Sequence, residues 1–204
     1  MKKIGITFII FILFNLFLSL FQSCCRPEPI NFRLNSLNSI PERIIGIEVS
    51  GSQNIGNYIV ETYVSDNNGI RYDSLGINVS NELIVAFNDQ QWNSNLGFSS
   101  AYACSPVENY DVVSDVIITS SENYNSAYPK GSNLEEVMQV RYAHMVRGNN
   151  IALFMTNNQL NYHTVFYTFS FPPSENKYHD ITIKYILNDG REFETTVSNI
   201  LITK

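Results

Sequence analysis

The chain has 204 residues, with 13 Lys+Arg against 19 Asp+Glu, and its formal charge of −6 excludes the basic face that nucleic acid or anionic lipid requires. Thirteen Phe, twelve Tyr and only 16% charged residues exclude disorder, and together with the many Ile, Val and Thr they favour packed pleated surfaces over a helical bundle.

The first element is an export signal. Lys2-Lys3, an apolar stretch from Ile4 to Phe21 and the small Ser23 before Cys24 supply its positive, apolar and cleavage parts. The expectation is a lipoprotein signal over 1–23 with lipidation at Cys24, which makes the membrane the first partner. The apolar stretch approaches the length of a spanning helix, so an uncleaved anchor is the alternative. Loss of Lys2 and Lys3 with the signal takes the charge to −8 and leaves 181 residues, enough for one or two small β domains. Arg26-Pro27-Glu28-Pro29 reads as extended, because proline restricts φ and disfavours helix before it, and residues 24–42 are expected to form a tether.

Residues 43–204 are dominated by period two, the mark of half-buried strands. Ile45, Ile47 and Val49 alternate with Ile44, Gly46 and Glu48, and Tyr58, Val60, Thr62 and Val64 with Ile59, Glu61 and Tyr63, which predicts two strands around a turn at Gly51 to Gly56. After the turn signal Asp66-Asn67-Asn68-Gly69 a loop runs through Gly76, followed by a strand from Glu82 to Phe87 and a polar loop from Asn88 to Asn95. Val112 to Thr119 and Ile151 to Met155 are further strands, and Ser132-Asn133-Leu134-Glu135 has the capping spacing that opens at most a turn or two of helix. Val165, Tyr167, Phe169 and Phe171 face one way, and Pro172-Pro173 stops that strand. Ile181, Ile183, Tyr185 and Leu187 lead through Asn188-Asp189-Gly190 into Phe193, Thr195 and Val197, a β-hairpin. The fold class is all-β: a β-sandwich, Greek-key or immunoglobulin-like, with at most one short helix.

Phe21-Gln22-Ser23-Cys24 resembles the relaxed lipoboxes of Bacteroidetes lipoproteins. Ser65-Asp66-Asn67-Asn68-Gly69, Ala101-Tyr102-Ala103-Cys104, Asp115-Val116-Ile117-Ile118-Thr119 and Gly131-Ser132-Asn133-Leu134, in that order, resemble a family of Bacteroidetes lipoproteins with a domain of unknown function. The resemblance implies a lipid-anchored protein of the cell envelope, at the outer membrane, and carries no activity with it. Glu28 alone follows Cys24 where surface-export signals of some Bacteroidetes carry acidic clusters, so periplasmic and outer faces both stay open. Asp73-Ser74-Leu75 matches the short acceptor pattern for O-glycosylation described for that group.

Candidate chemistry is sparse. With Cys24 committed to lipid, Cys25 and Cys104 remain in an oxidising compartment, where a disulfide between them and a pair of separate thiols are equal alternatives. His144, His163 and His179 are too widely spaced to read as zinc ligands, and Asp66 to Gly69 lacks the later Glu of a calcium loop, so no metal or cofactor is expected. No G-x-S-x-G, H-E-x-x-H, P-loop or G-x-G-x-x-G occurs, and Asp111, Asp115, Glu135 and Glu136 read as solvated acids rather than a catalytic pair. Trp92, Tyr124 and Tyr128 stand on loops, where they could form a platform for a protein or glycan, although a Trp such as Trp92 more often folds back over the sandwich edge. The functional expectation is a non-enzymatic binding module with a protein or glycan partner. An envelope hydrolase with carboxylates on loops and a structural surface protein are the alternatives.

Overall fold

The computed structural model describes residues 30–50, 55–65, 67–86, 107–109, 111–156 and 164–204. The chain forms two units, residues 1–33 with 85–110 and residues 34–84 with 111–204. In the first, the start of β1 (Ile30–Ser50) pairs in parallel with β5 (Val107–Asn109) through Ile30 to Phe32.

The second unit is a two-sheet sandwich. Its larger sheet runs β2 (Ile55–Thr62), β1, β4 (Leu75–Ala86), β8 (Thr164–Phe169) and β7 (Met138–Tyr142). The smaller runs β3 (Ile70–Arg71), β10 (Glu192–Thr203), β9 (Lys177–Leu187) and β6 (Val113–Ser120). Among the described strands the chain crosses between sheets five times, so each layer is assembled from distant parts of the sequence. The all-β sandwich is therefore the fold.

Its core lies where the inward sets of both sheets meet: Ile77 and Val79 of β4, Tyr167 of β8, Ile118 of β6, and Ile183 and Tyr185 of β9 are all buried. The hydroxyls of Tyr167 and Tyr185 hydrogen-bond at 2.8 Å, one from each layer, which satisfies two polar groups no water reaches. Burial pushes both phenols up, so they stay protonated. The β9–β10 hairpin closes on Gly190, whose φ of 84° an L side chain adopts only with strain.

Three boundaries differ from the sequence reading. The tether does not extend to residue 42: β1 starts at Ile30, Leu34 and Leu37 are buried, and Asp111 accepts the Leu34 N–H while pairing with Arg191. Period two was present in this stretch but diluted by Asn and Ser. The loop through Gly76 is also strand, because β4 begins at Leu75 and buries Leu75, Ile77 and Val79. Ile151 to Met155 is helical rather than extended. That segment, α1 (Ile151–Thr156), is capped by Asn150, whose Oδ1 accepts the Leu153 N–H at 2.7 Å, and Ala, Leu and Met within it favour helix. At Glu135–Val137 there is a single 3-10 turn without a side-chain cap, and Phe171 lies beyond the end of β8 and is 56% exposed.

Candidate functional site

β8 is buried on both faces, which a strand in a two-layer sandwich need not be. Val165, Tyr167 and Phe169 face the core, so Phe166 and Thr168 point outward and something else must cover them. The cover is the segment 143–148, which follows β7 and adds itself to the end of β2: the Tyr58 N–H donates to the His144 carbonyl at 2.7 Å, and the Val146 N–H to the Gly56 carbonyl at 2.9 Å. Beneath it the Phe166 ring lies over Gly76 so closely that a Cβ there would sit 1.9 Å from its Cζ. Tyr58 meets Phe166 at 6.2 Å between centroids, and the His144 ring meets it edge-on at 4.9 Å.

Two charged side chains fasten this cover. His144 Nε2 donates to Glu42 Oε2 at 2.7 Å, and Asn78 Nδ2 donates to the other carboxylate oxygen at 2.9 Å, which ties the segment to β1 and β4. Arg141 is 7% exposed and donates to the Val146 carbonyl at 3.1 Å, to Gln139 Oε1 at 2.8 Å and to Thr168 Oγ1. These acceptors are neutral, and the Tyr58 ring adds a cation–π contact at 5.5 Å. Burial draws the Arg141 guanidinium below its ordinary range, yet three hydrogen bonds and an aromatic face compensate much of its lost hydration. The cluster is a structural fastening that ties the segment 143–148 to β1, β4 and β8 beside the β1–β2 hairpin.

That hairpin exposes a cluster of large apolar side chains. Glu42, Ile44, Ile47 and Val49 pair with Thr62, Val60, Tyr58 and Gly56, so all share the outer face, with a bulge at Ile45 keeping the phase. Ile45, Ile47 and Val49 are 56%, 56% and 61% exposed, and Ile59, on the reverse face above Gly46, is 43% exposed. Glu48, Asn57 and Glu61 are exposed on the same reverse face as Ile59. The hairpin thus projects with aliphatic side chains in water and acids behind them.

A second polar pair is enclosed. Ser120 Oγ and His179 Nδ1 share a hydrogen bond of 2.7 Å, with Ser120 4% and His179 0% exposed, and His179 Nε2 is buried without a partner among the described residues. Neither side chain faces solvent, so the pair has the residue types of a nucleophilic dyad without access to a solute.

Of the residues read from sequence as a platform, Tyr124 is a correction. It is fully buried, stacks on Phe169 at 5.3 Å and donates its hydroxyl to the Phe171 carbonyl at 2.6 Å, because a large ring on a loop gains more by covering the sandwich end than by facing water. Tyr128 is half-buried and donates to Glu136 at 2.6 Å. Three of the four acids read as solvated take separate partners: Asp111 pairs with Arg191, Asp115 with the Val116 N–H and Glu136 with Tyr128. Asp111 is buried rather than solvated, since it ties β1 to the β9–β10 turn. Ser74 lies half-buried in a 3-10 turn over Tyr72–Ser74. Residues 1–23, Cys24, Cys25, Asp66, Trp92, Cys104 and His163 lie outside the described residues. Among the described residues no group of three or more His, Cys, Asp or Glu side chains could hold a metal, and no helix is long and apolar enough to cross a membrane.

Neither Glu42–His144 nor Ser120–His179 was legible beforehand, because the partners are 102 and 59 residues apart. Comparison with known proteins finds no matching family model, curated protein or solved structure.

Proposed function

We propose that this chain is a lipid-anchored lipoprotein of the Bacteroidetes cell envelope, held at the outer membrane through Cys24, whose β-sandwich binds a protein partner without catalysis. The observation that carries the binding role is the exposed row Ile45, Ile47 and Val49 with Ile59 behind it. Each leaves roughly half of a large aliphatic side chain in water, and covering all four would contribute about 3–4 kcal/mol. Aliphatic rather than aromatic side chains fit a protein surface better than a glycan, since sugars are received on flat ring faces. The Glu42, His144 and Arg141 fastening supports the same reading, because strands already held by the segment 143–148 have less conformational entropy to lose on binding.

Two measurements test it. Cys24→Ala should leave an uncleaved precursor without acyl label, and normal processing of that variant would overturn the anchor. A photo-crosslinking side chain placed at Val49 should give discrete adducts in intact envelopes, whereas the same group at exposed Glu194 on β10 should not. Equal yields at the two positions would remove the hairpin as the binding surface.

A further inference from the structure

We infer that the free edge of β2 receives an extended segment of another polypeptide, adding it as a further strand, and that the segment alternates apolar with basic side chains. This rests on the reading of the β1–β2 hairpin as the binding surface.

β2 is the last strand of its sheet. Along a strand, successive N–H and C=O groups point alternately to the two sides, and Tyr58 already directs its N–H away from β1, toward His144. The backbone groups of Val60 and Thr62 therefore point the same way. The segment 143–148 pairs only with Gly56 to Tyr58, and neither Val60 nor Thr62 takes an outward backbone partner among the described residues. Edge strands are ordinarily protected by proline, charged side chains or an overlying element; Ile55–Thr62 has no proline, and its one charged side chain is Glu61. Covered at one end and open at the other, the edge has a defined site about three residues long.

The side chains specify the occupant. Val60 shares the outer face with Ile44, Ile47 and Tyr58, so partner residues opposite Val60 and Thr62 extend an apolar surface. Glu61 lies between them on the reverse face, exposed, with Glu48 exposed on that face as well; its cross-strand neighbour on β1, Arg43, lies 5.5 Å over the Tyr63 ring, so the partner residue on the open side of Glu61 is matched by Lys or Arg. A second copy of this chain fits poorly. Antiparallel self-pairing that uses both Val60 and Thr62 sets each Glu61 against its twin, and sliding toward Tyr58 meets an N–H already given to His144. The site thus calls for an apolar-basic-apolar strand from a different protein, the mode in which main-chain bonds supply affinity and alternate side chains supply selection.

The test uses the full-length chain and two fluorescent peptides, Thr-Val-Lys-Val-Lys-Val-Thr and its counterpart with Glu for each Lys, in polarisation titrations. The Lys peptide should bind about tenfold more tightly than the Glu peptide, and Glu61→Lys should invert that order. Binding should also slow amide exchange at Val60 and Thr62 while leaving β10 unchanged. Absence of binding by either peptide, an order indifferent to Glu61→Lys, or protection elsewhere would overturn the inference, as would self-association of the chain in sedimentation. Val60→Pro, which deletes one outward N–H, should abolish peptide binding with melting retained, and Thr62→Pro serves where that variant does not fold. If adducts at Val49 persist in envelopes of Glu61→Lys and Val60→Pro but vanish in Ile47→Lys, the hairpin is the binding surface and strand addition is not the mode.

Discussion

The β1–β2 and β9–β10 hairpins have nearly the same amino-acid pattern and opposite fates. Each alternates Ile and Val with polar residues about a turn, yet Ile181, Ile183 and Tyr185 are at most 1% exposed whereas Ile45, Ile47 and Val49 stand more than half in water. Period two says that a strand has two faces, and says nothing about what lies over either of them. β9 sits between β10 and β6 with the larger sheet packed above it, while β2 is an edge that projects past that packing. The first hairpin stays exposed because it lies at the sheet's edge, whereas the second is enclosed in the core.

The sharpest way to break this comparison is Ile183→Asp, which buries a carboxylate with no partner and should cost about 5 kcal/mol, enough to unfold the domain in a urea titration. An unchanged midpoint would show that β9 is not central. Gly76→Ala comes next. The added methyl meets the Phe166 ring, and because the segment 143–148 closes over that ring it has nowhere to go, so a loss of about 2–3 kcal/mol is expected. Most of that loss should disappear in a Phe166→Leu background, and additive losses would mean that the ring is not the obstacle.

Acid should act on the region around β9. Burial holds the His179 imidazole below its ordinary value of 6.5, with Lys177 acting in the same direction and Glu122 and Asp180 opposing it. The unfolded chain therefore binds this proton more readily than the folded one. Its contribution to stability is complete above 6.5 and is lost as the pH falls through the lowered value. Melting temperature should drop as the pH falls through and below 6.5, and His179→Gln should reduce the slope. A slope identical in that variant would assign acid sensitivity to other groups. The smallest effect is that of Ile47→Asp, which should change stability by no more than about 0.5 kcal/mol because the side chain is already in water. A larger loss would show that the hairpin is part of the core after all.

How much was legible follows from how local each signal is. The β9–β10 hairpin, β6 and the inward set of β8 were readable because alternation and the Asn188-Asp189-Gly190 turn act over a few neighbouring residues. The start of β1 at Ile30 was not, since Asn and Ser interrupt its alternation and the pairing energy comes from strands far along the chain. A five-residue apolar run at Ile151 carries no period to separate helix from strand, although Asn150 and the Ala-Leu-Met content were usable signs. Tyr124 was misplaced as a platform because a loop aromatic shows its destination only once Phe169 and the Phe171 carbonyl are beside it.

Composition and alternation by themselves determined that this protein is built of strands and where most of them turn, because backbone preference and the two faces of a strand are properties of adjacent residues. Which strands became core and which stayed exposed, the Glu42–His144 fastening, the enclosed His179 and the place of β2 at the end of its sheet were decided only by tertiary structure, since burial belongs to whatever distant segment lies across a residue.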